Sequence, residues 1–462
     1  MAPILAFDTP RLQSELRDTV RLAGPLIAGQ LSGVGMTFVD AMLAGHLNAH
    51  TLGAVAVGAS IWALAFVAAL GVMMALPPSV AQLSGAGRQA EIGPLFRQAL
   101  WLAAALGVVL FLAVRHGGPA LVTLIGVDPA LHADTTGFLR AIAWGAPALT
   151  GYFAVRGVSE GNGLTWPTMY FGLLGLVVLV PIGWILMYGK FGLPAMGAAG
   201  TGAATAIVIW LQFAAYLGWL AWRAEYRPLA LFTQWDRPRW QPVAELLRIG
   251  LPMGIAVFME ASLFVAAALA IGRLGETTVA SHQIALNVSS IAFMVPLGLA
   301  LAITVRVGHA VGRNDVRGVR YAGFCGIALA FATQLAGTTV MLLFPGTIAS
   351  LYTKDLGVIA LASELLVLAG LFQFPDGIQV ASNGALRGLK DTRIPMLVTV
   401  LAYWGIGMPV GVWLAFGRGM GARGIWMGLI AGLSVAALLL FWRFYSRARR
   451  GRWQAAPALR DS

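Results

Sequence analysis

The feature that most constrains this chain is a succession of long apolar runs. They fall at 22–46, 51–76, 97–114, 135–157, 165–188, 195–222, 247–272, 278–304, 321–344, 357–386, 394–416 and 422–442. A helix of ~20 apolar residues crosses the ~30 Å hydrocarbon layer of a bilayer. Within that layer every backbone polar group must be satisfied inside one helix or around a closed barrel. Barrel strands are ~10 residues long and alternate apolar with polar. These runs are longer and unbroken, so the expected fold is all-α and polytopic, with about twelve transmembrane helices. Only 11% of the residues are charged, against roughly a quarter in soluble domains. That leaves too little charge to cover a soluble surface.

The net charge of +12 raises the question of nucleic acid, and the placement of the bases answers it. With the N-terminus inside, one loop face collects Arg11, Arg17, Arg21, Arg88, Arg97, Arg156, Arg223, Arg227, Arg237, Arg239 and Arg248. It also takes Arg306, Arg313, Arg317, Arg320, Arg387, Lys390, Arg393 and the arginines of 443–460. The opposite face has Arg115, Arg140, Lys190, Arg273, Lys354, Arg418 and Arg423. Such a bias marks cytoplasmic loops. The expectation is a bacterial inner-membrane protein with both termini cytoplasmic and no nucleic-acid partner. The opening MAPILAFDTPRLQSELRDTV lacks the basic start, short apolar core and cleavage site of a removable leader. The single Cys325 cannot form an internal disulfide.

The longest polar linker, RAEYRPLALFTQWDRPRWQP at 223–242, lies near the midpoint. It divides the chain into an N-terminal bundle at 1–222, a cytoplasmic linker at 223–245 and a C-terminal bundle with a basic tail at 246–462. Sliding one half over the other by 227 residues aligns Pro25 with Pro252, Gly157 with Gly384, Gly161 with Gly388, Thr165 with Thr392 and Gly197 with Gly424. Two pseudo-symmetric six-helix bundles are a transporter plan, in which one bundle rocks against the other. Channels more often build a pore by oligomerisation, so the expectation is a monomeric transporter.

Three carboxylates lie well inside these runs: Asp40 in the first, Glu260 in the seventh and Asp376 in the tenth. An ionisable group in hydrocarbon is costly and points to a cavity or a partner. The plain alternative is a protonated carboxylate tying two helices together. No Lys or Arg lies deep in any run, which weakens ion pairing as an explanation. At the 227-residue offset Asp40 meets Ala267, Glu260 meets Gly33 and Asp376 meets Leu149. The scaffold repeats and the acids do not. One acidic site in the first half and a two-acid site in the second follow.

Asp376 sits in QFPDGIQVASNGALRG. Pro375 removes a backbone donor and Gly377 loosens the next turn, so a helix break with freed carbonyls is expected there. Carbonyls with one or two carboxylates suit a sodium ion at Glu260 and Asp376. In a drier setting the same groups suit a proton. A carboxylate that holds a proton, a sodium ion or a cationic substrate, one at a time, couples their binding reciprocally, as an antiporter requires. No resident cofactor is implied.

Other polar residues carry weaker signals. His282 and Asn287 in SHQIALNVSS suit a cavity wall or a small-residue helix interface equally well. The remaining histidines show no metal-ligand spacing. Glu160 and Glu364, near run ends, read as solvated. Of the 15 Trp, 22 Phe and 9 Tyr, most belong to interfacial belts or face lipid. A few can attract organic cations through their ring faces.

Pro25 with Asp40 in the first run, the acid in PMGIAVFMEASLF, the text VASHQIALNVSS at 279–290 and QFPDGIQVASNGALRGLKDTRIPM resemble the multidrug and toxic compound extrusion (MATE) family. The Glu260 and Asp376 pair is similar to its NorM branch. The likeness spans almost the whole chain. It implies a V-shaped pair of six-helix bundles that exports cationic amphipathic drugs in exchange for sodium ions or protons. By position it implies a second-half cation site at Glu260 and Asp376, a first-half acid at Asp40 and a bending point at Pro25. Two departures stand out. Many members carry asparagines where GLLGLVVLVPIGW has Leu179 and Gly183, and some carry a tyrosine where Phe372 stands, one turn before Asp376. The first weakens a full cation cage around Asp40 and leaves it a simpler protonation or drug-binding role; the second offers Asp376 a ring face but no oxygen.

A flippase for lipid-linked molecules is the alternative on the same scaffold, and it would call for cavity bases to meet a pyrophosphate. A membrane-embedded enzyme would need His, Asp or Ser clustered at one membrane face, and none is clustered, so the chain does not read as an enzyme. A gated channel would betray itself by steady single-channel current.

Overall fold

The computed structural model describes residues 9–234 and 236–451. Arg452 and Arg460 of the expected basic tail lie outside the described residues. Among those residues there are helices, turns and loops, and no strand.

Twelve long helical elements follow in order. The first six are α1 (Thr9–Leu47), α2 (Ala49–Met73), α3 (Ile92–Leu112), α4 in two segments (Pro129–Ile142 and Ala146–Gly161), α5 (Trp166–Tyr188) and α6 (Gly197–Trp222). The second six are α7 (Trp240–Gly272), α8 (Glu276–Gly312), α9 (Val316–Leu343), α10 (Leu356–Gly388), α11 (Arg393–Gly417) and α12 (Ala422–Arg450). Eleven helical stretches among the described residues are long and apolar enough to cross a bilayer. The remaining element, α4, is interrupted by a 3-10 turn at Ala143–Gly145 and carries Asp134, Arg140, Arg156 and Glu160. The chain is therefore a polytopic, all-helical membrane protein.

Local chemistry sets the ends. Asn48 caps α2 by accepting the Thr51 N–H at 2.7 Å. Asp315 caps α9 through the Gly318 N–H at 2.8 Å, and Asp355 caps α10 through Gly357 at 2.8 Å. Such side chains satisfy donors that the first turn leaves open. At the end of α5, Gly189 takes a left-handed φ of 67°, a conformation that glycine alone adopts without steric cost.

Prolines stand inside five of these helices without ending them: Pro25, Pro181, Pro252, Pro296 and Pro375. The break expected at Pro375 is absent, and α10 runs unbroken from Leu356 to Gly388. A proline costs one N–H and one i−4 bond, and within a membrane neighbouring helices can resupply the freed groups. Two residues before Pro375 the Gln334 amide of α9 donates to the Gln373 carbonyl at 3.3 Å and to its side-chain oxygen at 2.5 Å, tying α10 to α9 beside the proline. Packing around a buried helix outweighs the local tendency to break.

The chain forms two compact units. Among the described residues, one holds 28–254 and the other holds 9–27 and 255–451. The divisions fall inside α1 and α7, so each of these helices supplies its first part to one unit and its remainder to the other. In the unit of 28–254 the largest core joins Leu76, Phe96, Tyr216 and Tyr226. There a Cβ on Gly71 would collide with the Gly254 backbone. In the other unit one core gathers Leu263, Phe372, Tyr403 and Trp426, and Gly428 lies against the backbone of Gly407 and Gly411. Lipid provides no hydrophobic drive between helices, so close approach at small residues does much of the holding.

Candidate functional site

In the unit of 28–254, α1 carries Asp40. Thr205 of α6 donates to Asp40 Oδ2 at 3.0 Å, and the buried Oδ1 has no partner. The surroundings are apolar. Leu179 packs with Ala204 and Val208, and Met36, Val39 and Ile182 pack around them. Gly183 leaves room for Leu43, since a Cβ there would lie 2.7 Å from Leu43 Cδ1. Leu179 and Gly183 offer no amide, and among the described residues Thr205 is the one hydrogen-bond partner of this carboxylate. Such a group suits a proton or a bound organic cation better than a dehydrated metal ion, which needs several oxygens.

The same unit corrects the reading of Glu160 as solvated. Glu160 is 3% exposed and pairs with Arg156 one turn away at 2.5 Å. Arg156 also donates to Gln30 of α1 at 2.9 Å, and Thr168 donates to Glu160 at 3.1 Å. Both charges sit inside the bundle because each side chain meets polar partners from other helices.

In the other unit, Glu260 of α7 is half-buried and Asp376 of α10 is 3% exposed. The charge of Glu260 reaches Asp376. Two further groups join them. Arg387 is 6% exposed, acts electrostatically on Glu260, and leaves Nε and Nη1 without partners. Tyr403, fully buried in a π-helical turn of α11, feels both acids and has no partner for its hydroxyl. Arg387 stands in the last turn of α10, past the end of the apolar run, and is nevertheless buried. Arg387 falls on the Asp376 face of α10, at a spacing of eleven residues, or three helical turns. That period was legible. Nothing in the sequence pointed to Tyr403.

Two carboxylates and one guanidinium leave a single net negative charge when all are ionised. One monovalent cation neutralises it. The unpartnered Gln379 Oε1, Ser382 Oγ and Thr399 Oγ1 are further buried oxygens of this unit. Among the described residues no three His, Cys, Asp or Glu come together as a metal-binding group.

The remaining candidates are placed as follows. Phe372 is buried against Phe264 and Trp426, with ring centroids 6.1 and 5.8 Å away. His282 meets Trp426 edge to face at 5.9 Å, and neither ring nitrogen has a partner. Asn287 is exposed and accepts a hydrogen bond from Tyr352 at 2.8 Å. Pro25 is buried inside α1, and Pro375 is half-buried inside α10 beside Asp376.

A helical membrane protein with isolated carboxylates inside its spans, built from two repeats, is by class a secondary transporter. The MatE family model matches residues 25–185 and 252–413. These stretches begin 227 residues apart, the offset at which the two halves align. The chain belongs to the MatE family, the multidrug and toxic compound extrusion transporters. It is 50% identical over 450 residues to the probable multidrug resistance protein NorM of Xanthomonas campestris, covering 97% of this chain and 98% of that one. It is 43% identical to the multidrug resistance protein PmpM of Pseudomonas aeruginosa, covering 95% and 93%. The crystal structure of the eukaryotic MATE transporter AtDTX14 superposes with a TM-score of 0.86 at 20% identity, covering 96% of this chain and 99% of that one. That likeness concerns the fold.

Proposed function

We propose that this chain is a multidrug exporter that expels cationic amphipathic compounds across the bacterial inner membrane in exchange for an inward sodium ion or proton. Both termini lie in the cytoplasm in this reading. Glu260 and Asp376 hold the coupling cation, and Asp40 is the acid of the other unit. The observation that carries the reading is the group of Glu260, Asp376 and Arg387, whose net charge calls for one monovalent cation. Names of relatives at 43–50% identity support drugs as cargo.

The mechanism follows from charge. The two acids together with Arg387 are neutral once they have taken one cation, and they then hold a second cation poorly. Binding on one side of the membrane and release on the other is thereby linked to the opposite movement of the competing species. At ~100 mV each inward positive charge supplies roughly 2.3 kcal/mol, enough to concentrate cargo several tens-fold. Arg387 does not turn the site toward pyrophosphate, because Glu260 answers its charge.

The test uses purified protein in liposomes loaded with a fluorescent drug cation, with sodium and pH gradients applied separately. Efflux under one gradient alone identifies the ion. Loss in both Glu260→Gln and Asp376→Asn supports the assignment, and full efflux in both overturns it. Partial efflux in both, with Asp40→Asn inactive, moves the coupling site to Asp40.

A further inference from the structure

The arginines at the end of α12 and the start of α9 divide by what they do. Arg443 and Arg447 each pair with Asp391 at 2.9 Å. Arg320 donates to the carbonyls of Ala448 and Arg449 at 3.0 and 3.2 Å, and the Gly451 N–H returns to Arg447 at 3.2 Å. The open carbonyls of the last turn of α12 are thus already served. Three exposed arginines have no such task. The side chains of Arg317, Arg449 and Arg450 make no hydrogen bond or ion pair with any described residue. The two helix ends are adjacent, because a Cβ on Gly451 would meet Val316 at 3.6 Å.

Next to these charges lies an aromatic surface. Trp442 is 67% exposed and its ring is 6.1 Å from that of Tyr445. Tyr445 in turn lies 6.3 Å from Phe324 of α9. Trp442, Tyr445 and Arg449 are spaced three and then four residues apart, so they form one stripe along α12. Further into the span the exposed Leu438 continues the apolar surface.

We propose that this surface binds an anionic phospholipid, with its phosphate among Arg317, Arg449 and Arg450 and its glycerol and acyl region along Tyr445 and Trp442. Aromatic side chains settle at headgroup depth. A guanidinium fork matches two phosphate oxygens, and an anionic headgroup relieves the mutual repulsion of three unpaired cations. A basic cluster beside the end of a transmembrane helix is the electrostatic form such a site takes. Charge complementarity and an apolar surface running into the span favour a lipid over a soluble anion. The proposal is independent of the coupling ion.

The test is native mass spectrometry of the purified full chain in neutral detergent, with phosphatidylglycerol, phosphatidylcholine and glycerol phosphate as probes. Phosphatidylglycerol adducts should persist where phosphatidylcholine adducts dissociate. The triple variant R317Q/R449Q/R450Q should lose retention roughly tenfold or more. The corresponding triple lysine variant should keep most of it. Arg418→Gln, at the other end of the preceding helix, should change nothing. Equal retention of the two lipids, or wild-type retention in the triple glutamine variant with an unchanged melting temperature, overturns the proposal. Complete displacement by glycerol phosphate also overturns it, because the acyl region would then contribute nothing.

Discussion

Thr205 donates a 3.0 Å hydrogen bond to one oxygen of Asp40, and the other oxygen is buried without a partner. A carboxamide at position 40 can still accept from Thr205, so Asp40→Asn preserves shape and removes only the charge. Drug efflux from cells should fall at least about tenfold, while the melting temperature of the purified protein stays close to that of the parent, as for substitutions that open no cavity. Thr205→Val should show a smaller loss. Unimpaired efflux by Asp40→Asn would remove Asp40 from the mechanism.

In the proposed mechanism Arg387 opposes cation binding at Glu260 by simple repulsion. Replacing it with Met should therefore tighten the apparent affinity for the coupling cation, on the order of tenfold for each ~1.4 kcal/mol of repulsion removed. Turnover should drop, because the cation then leaves slowly. Half-saturation measured in liposomes against the coupling ion decides this. An unchanged or weakened affinity would contradict the arrangement.

The buried Arg156 and Glu160 pair should reveal itself in stability. Arg156→Ala leaves a carboxylate inside the bundle without its cation, a change that typically costs about 3–5 kcal/mol. The double change Arg156→Met with Glu160→Leu removes both charges and should recover much of that loss. Thermal unfolding of the purified variants separates the two. If the double variant is no better than Arg156→Ala, the polar links to Gln30 and Thr168 matter more than the pair itself.

Asp315 sets a pH dependence outside the spans. Burial works to raise its pKa, but the Gly318 N–H and the Arg11 guanidinium, 2.7 Å away, outweigh burial and hold the carboxyl below the usual value. A depressed folded-state pKa means stability that is present above the unfolded value and lost as pH falls through the folded one. Asp315→Asn should therefore melt lower than the parent at pH 7. The gap should narrow once pH drops below the ordinary aspartate value of about 3.9. A gap constant down to the most acidic conditions would leave the ion pair without a role.

The reach of the sequence differs from residue to residue. Asp40, Glu260 and Asp376 stood out because a lone acid in an apolar run is locally conspicuous. Arg387 was assigned to a loop because it closes a run, and only the face it shares with Asp376 showed where it belongs. Arg97, also assigned to a loop face, is buried, pairs with Asp236 at 2.6 Å and donates to the carbonyls of Ala230 and Leu231. Its partners lie more than 130 residues away, beyond any local pattern.

Run length by itself determined that the chain crosses a membrane as helices, because hydrocarbon thickness prescribes how many apolar residues a span needs. The internal repeat and the asymmetry of its acids were equally a matter of sequence. Only the tertiary structure decided that α10 continues through Pro375, that Glu160 is buried with Arg156 as its partner, and that Arg387 and Tyr403 lie within electrostatic reach of Glu260. Hydropathy adds up neighbours along the chain. The cost of burying a charge or of losing a backbone bond depends on which partner another helix presents, and that is settled only when the helices pack.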